Sequence, residues 1–175
     1  KSDQQLKCLA AENVAVGNSA LSGGQTGIND NVAIGNLSLA QTGLTGSFNT
    51  AVGSLALRNY YNSFNTAVGY ESLLNDSTGD KNTAVGFQSG NLIITGVDNT
   101  IIGYAADVNL DTAINQIVIG SGALGAADNT AVIGNNSVYE VKTGGGPYNL
   151  ASVITGTGAP SIERSITPNF IGQLY

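Results

Sequence analysis

The chain has 175 residues, a formal net charge of −6 and a pI near 4.2. The acidic surplus argues against nucleic-acid binding, which needs clustered Lys and Arg. The absence of His excludes a Ser-His-Asp triad and an imidazole metal site, and the single cysteine, Cys8, excludes an internal disulfide. Length alone indicates one domain, and the lack of Trp and Met indicates a thin core built from Val, Ile, Leu and Ala.

The first element is a lead-in, residues 1–12, which we interpret as a short helix or a cap. Residues 13–138 then repeat one motif, Asn-Thr-Ala-Val-Gly or a close variant, eight times. The glycines that anchor the copies are Gly17, Gly35, Gly53, Gly69, Gly86, Gly103, Gly120 and Gly134. The asparagines that begin the four best-matched copies are Asn49, Asn65, Asn82 and Asn99. Steps of 14 to 18 residues between the glycines are the signature of a repeat architecture.

Each period predicts a short strand, a bend at the glycine, a second short strand and a polar loop. About 17 residues are too few for a helical hairpin repeat, so each period fits one coil of a β-solenoid with strands about 4.8 Å apart. The expected class is therefore an all-β, parallel β-roll.

Stacking the coils places equivalent residues in columns. We expect two columns to form the interior: the Val or Ile before each glycine, such as Val52, and the Leu four residues after it, such as Leu57. Strand alternation then points Thr inward with Val, and leaves Ala and Gly as a smooth outer face open to close packing. Asn at the start of each strand is expected to bond neighbouring backbone and form a stacked ladder.

Aromatic residues recur at fixed positions in several coils. Tyr70, Phe87 and Tyr104 each follow a repeat glycine, and we expect them to stack as an aromatic ladder with a structural role. Phe48 and Phe64 precede the asparagine of their coils and are expected to hold the loops in place.

The periodicity stops after Val138. Residues 139–175 contain all three prolines, so we interpret them as a separate C-terminal neck, cap or connector. Because the chain begins without Met and ends in what resembles the middle of a strand, we expect it to be a fragment.

The repeated Asn-Thr-Ala-Val-Gly, with Ser or Ala three residues after the glycine, resembles the YadA-like head repeat of trimeric autotransporter adhesins. Similar repeats occur in viral and phage tail-fibre and attachment-fibre proteins. The resemblance covers residues 13–138 and implies a left-handed parallel β-roll, with three chains side by side as a homotrimer. It also implies Val/Ile columns inside each roll and small residues at the chain contact. The period here is longer than the family's usual coil, which adds loop residues to the earlier coils.

The tail, from Ala159-Pro160 to Gln173-Leu174-Tyr175, resembles linker segments of viral fibre proteins and favours a virion surface over a bacterial one.

Catalysis has little support in the sequence. The carboxylates that share loops, Asp76 with Asp80 and Asp107 with Asp111, are interpreted as turn residues rather than as a glycoside-hydrolysing pair. In the stretch from Asp107 to Asp111, every second residue (Asp107, Asn109 and Asp111) has a side-chain oxygen. The stretch lacks the following Glu that completes a calcium-binding loop. We therefore predict no enzyme, no cofactor and no metal.

Recognition is better supported. The candidate binding loop is Arg58, Asn59, Tyr60, Tyr61 and Asn62, where aromatic faces beside amides suit sugar rings. Loop packing or a chain–chain contact is the competing explanation for this loop.

Four functions compete. The favoured one is a trimeric viral or phage attachment fibre, extracellular, with a host-surface glycan or protein as partner and neither nucleic-acid binding nor membrane insertion. The alternatives are a bacterial trimeric adhesin head, a fibre-borne glycan hydrolase or lyase, and an ice-binding protein that uses the column of Thr50, Thr66, Thr83 and Thr100. The inward direction expected for these threonines argues against ice binding.

Overall fold

The computed structural model describes residues 6–9, 12–22, 29–40, 46–59 and 62–137, and contains no helix among them. Within these described residues, nine short strands form one sheet in the order of the sequence. They are β1 (Leu6–Leu9), β2 (Asn13–Val16), β3 (Val32–Ile34), β4 (Thr50–Val52), β5 (Thr66–Val68), β6 (Thr83–Val85), β7 (Thr100–Ile102), β8 (Ile117–Ile119) and β9 (Ala131–Ile133).

Strands β2 to β9 are parallel, and each pairs with the strand of the next coil in motif register. Ala51 pairs with Ala67, for example, and Ala67 with Ala84. The predicted all-β solenoid of parallel strands is therefore confirmed. Strand β1 runs antiparallel to β2, so the lead-in contains a strand rather than the alternative helix. The predicted C-terminal segment, 139–175, lies outside the described residues.

The second half of each coil is a series of turns instead of the predicted second strand. Its backbone still bonds to the neighbouring coils: Leu39 N donates to Ala56 O at 3.1 Å and Leu37 N to Asn18 O at 2.9 Å. The chain turns so tightly because it repeatedly enters the left-handed region, for instance at Leu57 (φ 48°) and Leu73 (φ 50°). A left-handed residue other than glycine costs about 1–2 kcal/mol, which the bonds between coils must offset.

The face of the sheet that points into the roll is the Ala face, which is the opposite of the face predicted from the sequence. The inner column holds Ala15, Ala33, Ala51, Ala67, Ala84, Ile101 and Val118, each at most 2% exposed. The Val/Ile column is half-buried or exposed, with Val85 at 36% and Ile102 at 39%. The prediction that Val and Thr point into the roll is wrong for the isolated chain.

The second predicted interior column is largely right. Leu21, Leu39, Leu57 and Leu73 are all buried. The small Ala wall faces this large Leu wall, and a roll this narrow has no room for Val and Leu together. Leu124 is the exception: it lies in the last coil that is described in full and is 61% exposed.

At one place in the roll, the large residue lies in the Ala column and the small residue lies in the Leu column. Gly90 takes the place of Leu, and Ile101 takes the place of Ala on the facing strand of the next coil. A Cβ at Gly90 would lie 2.9 Å from Leu73 Cδ2 and 3.5 Å from Ile101 Cδ1. The longer Ile101 side chain therefore occupies the space that a leucine fills in the earlier coils.

This exchange predicts strong coupling between the two positions. We expect Ile101→Ala to cost about 3 kcal/mol through a cavity, and Gly90→Leu to cost about 2 kcal/mol through overpacking. The double variant restores the Ala and Leu of earlier coils, so it should recover at least about 2 kcal/mol of the summed cost. Urea unfolding of all four proteins measures this. A double variant whose cost equals the sum of the two single costs would refute the exchange.

Candidate functional site

The outward side of the sheet forms a continuous surface, which we call the outer strand face. Strand alternation gives it two side chains per coil, because every second residue of a strand points to the same side. It comprises Val14, Val16, Val32, Ile34, Thr50, Val52, Thr66, Val68, Thr83, Val85, Thr100, Ile102, Ile117, Ile119, Ala131 and Ile133. None of these residues is charged, and all are apolar apart from the four threonines.

A buried ladder of asparagines holds the strands of this face in register. Asn82 shows the pattern: its backbone N–H donates to Asn65 Oδ1 at 2.7 Å, and its Nδ2 donates to Gly96 O at 2.7 Å. Its own Oδ1 accepts from Asn99 N at 3.1 Å. The same contacts recur in the neighbouring coils from Asn13 to Gln116. The asparagines thus stack and bond neighbouring backbone as expected from the sequence.

Two aromatic stacks project from the surface. Tyr70, Phe87 and Tyr104 stack with ring centroids 5.3 and 5.1 Å apart, which confirms the predicted ladder. Phe48 and Phe64 form a second stack at 5.1 Å. Because stacked rings cover one another's faces, Phe87 presents mainly its edge to solvent, whereas a sugar needs a ring face.

The predicted recognition loop is only partly described. Arg58 is exposed and Asn59 is half-buried, while Tyr60 and Tyr61 lie outside the described residues. Asn62 has structural bonds: its Nδ2 donates to Thr78 O, and its backbone O accepts from Asn49 Nδ2 at 3.0 Å. Sugar binding by this loop therefore stays a prediction.

The loop carboxylates shape turns. Asp76 is fully buried and accepts from Gly79 N at 2.8 Å, and burial is the main cause that raises its pKa to about 7. Asp107 accepts from Leu92 N and Val108 N, each at 2.9 Å, and burial raises its pKa to about 6. Within the described part of the chain, no group of three or more acidic, Cys or His side chains is placed to hold a metal ion.

The column of Thr50, Thr66, Thr83 and Thr100 lies on the outer strand face and is half-buried, so the predicted inward direction is wrong. The threonines are still sparse, with one per coil in only four coils, and Val14 and Ile117 occupy the same column near the ends. Most of the face is therefore aliphatic.

A cleft of about 680 Å³ opens at the C-terminal end of the described coils. Its lining residues are Gly122, Leu124, Val132, Ile133, Gly134, Asn135, Asn136 and Ser137. This cleft is not predicted from the sequence, because nothing in the repeat pattern distinguishes these positions from their equivalents in the interior coils.

No protein-family model, curated protein or solved structure matches the chain. The described residues also include no helix long and apolar enough to cross a membrane. The function of the chain is therefore inferred from its own geometry.

Proposed function

We propose that this chain is the structural and host-attachment module of a homotrimeric viral or phage fibre. The roll is left-handed in this proposal, it is extracellular on the virion surface, and its exposed loops bind a host-surface glycan or protein. The observation that supports the proposal best is the uncharged, mainly aliphatic outer strand face.

A large apolar surface on a lone chain is costly in water, and contiguous patches of this kind usually mark contact sites. The outer strand face extends along all eight parallel strands, from Val14 on β2 to Ile133 on β9, and both of these side chains are exposed. Three chains related by a threefold axis would bury the face of each against its neighbours.

The contact surface in this proposal differs from the smooth Ala/Gly face expected from the resemblance. The Ala column is the core of each roll, so it is not accessible to a second chain. The Val/Ile column takes that role instead. Stacked coils then give stiffness, and three identical sets of loops gain avidity for a repeated receptor.

The head of a bacterial trimeric adhesin is the alternative, because the resemblance applies equally to that family. A membrane-anchor domain in the full-length protein would favour it, whereas a capsid- or tail-attachment domain would favour the fibre.

Light scattering tests the trimer directly. We expect a solution mass of three times the chain mass of 17.7 kDa. Ile102→Glu places a charge on the outer strand face and should dissociate the trimer, because an uncompensated charge is costly to bury. Ile94→Glu is the matched control: Ile94 is exposed to nearly the same degree (41% against 39%) but lies in a loop, so its mass should stay trimeric. A monomeric parent protein would overturn the trimer, and attachment is then tested separately by binding to host cells.

A further inference from the structure

The aromatic ladder has two ends, and each end leaves one ring face uncovered. Phe87 is stacked on both sides, whereas Tyr70 and Tyr104 each have one stacking partner. The next residue in the same column is Ser54 beyond Tyr70 and Ser121 beyond Tyr104. A serine side chain is too short to cover a phenol ring. Each end is therefore a shelf, one coil high, with an aromatic face as its wall.

The two shelves are not equivalent. Tyr70 is 43% exposed, and a hydrogen bond to Glu71 raises its pKa, so its hydroxyl is already engaged. Ser54 and Leu55 beside it are half-buried. Tyr104 is 62% exposed, and Ser121 and Gly122 beside it are both exposed. The Tyr104 shelf is the open one.

The 680 Å³ cleft at the end of the described coils lies next to the Tyr104 shelf, because two of its lining residues, Gly122 and Asn135, bond to the residues of the shelf. Asn135 joins the two, because its Nδ2 donates to Ser121 O at 2.6 Å while the residue also lines the cleft. Gly122 lines the cleft too, and its N–H donates to Tyr104 O at 2.8 Å. The combined surface offers one aromatic face, several amide and hydroxyl groups, and an apolar wall at Leu124 and Val132. A space of this size is typical of small-molecule sites.

We propose that the free face of Tyr104, above Ser121, binds an uncharged pyranose ring. The apolar C–H face of a galactose- or glucose-type sugar stacks on the phenol ring, and its hydroxyl groups bond to Ser121 and the carboxamides of Asn135 and Asn136. The sugar is uncharged because none of the described residues that line the shelf and cleft carries a charge. This inference rests on the proposed attachment function and assigns its ligand class to a site different from the Arg58–Asn62 loop.

The ladder itself supplies the decisive variant. Ser121→Phe extends the column of Tyr70, Phe87 and Tyr104 by one ring, and so fills the shelf while keeping the fold. Ser54→Phe extends the other end and is the matched control. Saturation-transfer NMR with methyl β-galactoside and methyl β-glucoside measures binding, with sialyllactose as the charged comparison. Melting temperature and solution mass verify that each variant is intact.

We expect at least one of the two neutral sugars to bind the parent protein and the Ser54→Phe variant equally. Sialyllactose, which is negatively charged, should bind no more tightly than that neutral sugar. Ser121→Phe should abolish binding, Tyr104→Ala should weaken it about tenfold or more, and Tyr104→Phe should retain it. Failure of both neutral sugars to bind, or unchanged binding by Ser121→Phe, would overturn the site. A changed solution mass for Ser121→Phe would also overturn it, because the shelf would then be a chain–chain contact.

Host-cell binding separates this site from the proposed function. If Ser121→Phe still binds both the sugar and the cells, the sugar site is refuted and attachment through another surface is left standing. If the parent protein binds the sugar but never binds cells, the sugar site is supported and the proposed attachment function is refuted.

Discussion

Gly86→Ala is expected to destabilise the protein by about 4 kcal/mol or more, which is a large part of the stability of an ordinary domain. The reason is the stacking of repeat glycines. A Cβ at Gly86 would lie 2.2 Å from Gly103 O and 2.6 Å from Gly103 C, and both are backbone atoms of the next coil. The φ of +142° is also one that side chains rarely adopt. Removing these close contacts therefore requires separating two coils and breaking the hydrogen bonds between their strands.

Gly122→Ala is the matched control for this variant. Gly122 has a φ of +59°, which Ala105 at the same place in the preceding coil adopts without glycine (φ 46°). A Cβ there would meet only Asn135 Nδ2, at 4.0 Å. Urea unfolding should show a cost of only about 1–2 kcal/mol for Gly122→Ala, the ordinary penalty of a left-handed alanine without a clash. Equal midpoints for the two alanine variants would show that the glycines do not set the distance between coils.

The repeat spacing was sufficient to predict the solenoid and its register. Each five-residue motif specifies one strand, one bend and one asparagine rung, so eight copies constrain the same pairing from Val14 to Ile133. The second half of the coil was harder to predict, because leucine that alternates with a small or polar residue, as in Leu37-Ser38-Leu39, also fits a half-buried strand. Nothing in the local sequence predicts that Leu57 or Leu73 adopts a left-handed backbone conformation.

The inward face could not be read from one strand alone. Alternation separates Thr and Val from Ala, but does not say which set is inside. The sequence does contain a signal that decides between them: Gly90 removes a leucine from one wall, and Ile101 enlarges the Ala column in the next coil. A compensating change of size indicates contact, and only an inward Ala column brings the two positions together.

The candidate sites were predicted less well than the fold. The aromatic ladder followed directly from the period, but its free end at Ser121 and the cleft beyond it depend on how the side chains of different coils combine. Two of the five residues of the predicted recognition loop are described only by their sequence. A loop departs from the repeat, so the repeat pattern gives no register for its side chains.

Stability is expected to fall as the pH rises from about 4 to about 7, by up to about 4 kcal/mol, because of Asp76. Burial raises the pKa of this carboxyl from 3.8 to about 7. The folded chain therefore holds a proton that the unfolded chain has already released across this interval. Asp107, whose pKa is raised to about 6, acts in the same direction over a narrower range. Urea unfolding at pH 5, 6, 7 and 8 measures the change.

Asp76→Asn should remove most of this dependence and make the protein more stable than the parent at pH 8. The uncharged carboxamide can keep the bond from Gly79 N, and it sacrifices only the long 3.4 Å contact between Asn82 Nδ2 and Asp76 Oδ2. Asp111→Asn removes the same charge from an exposed position, so it should leave the slope unchanged and controls for the general repulsion of an acidic chain. A slope that is undiminished in Asp76→Asn, or that falls equally in Asp111→Asn, would place the pH dependence in the net charge of −6 instead of the buried carboxyl.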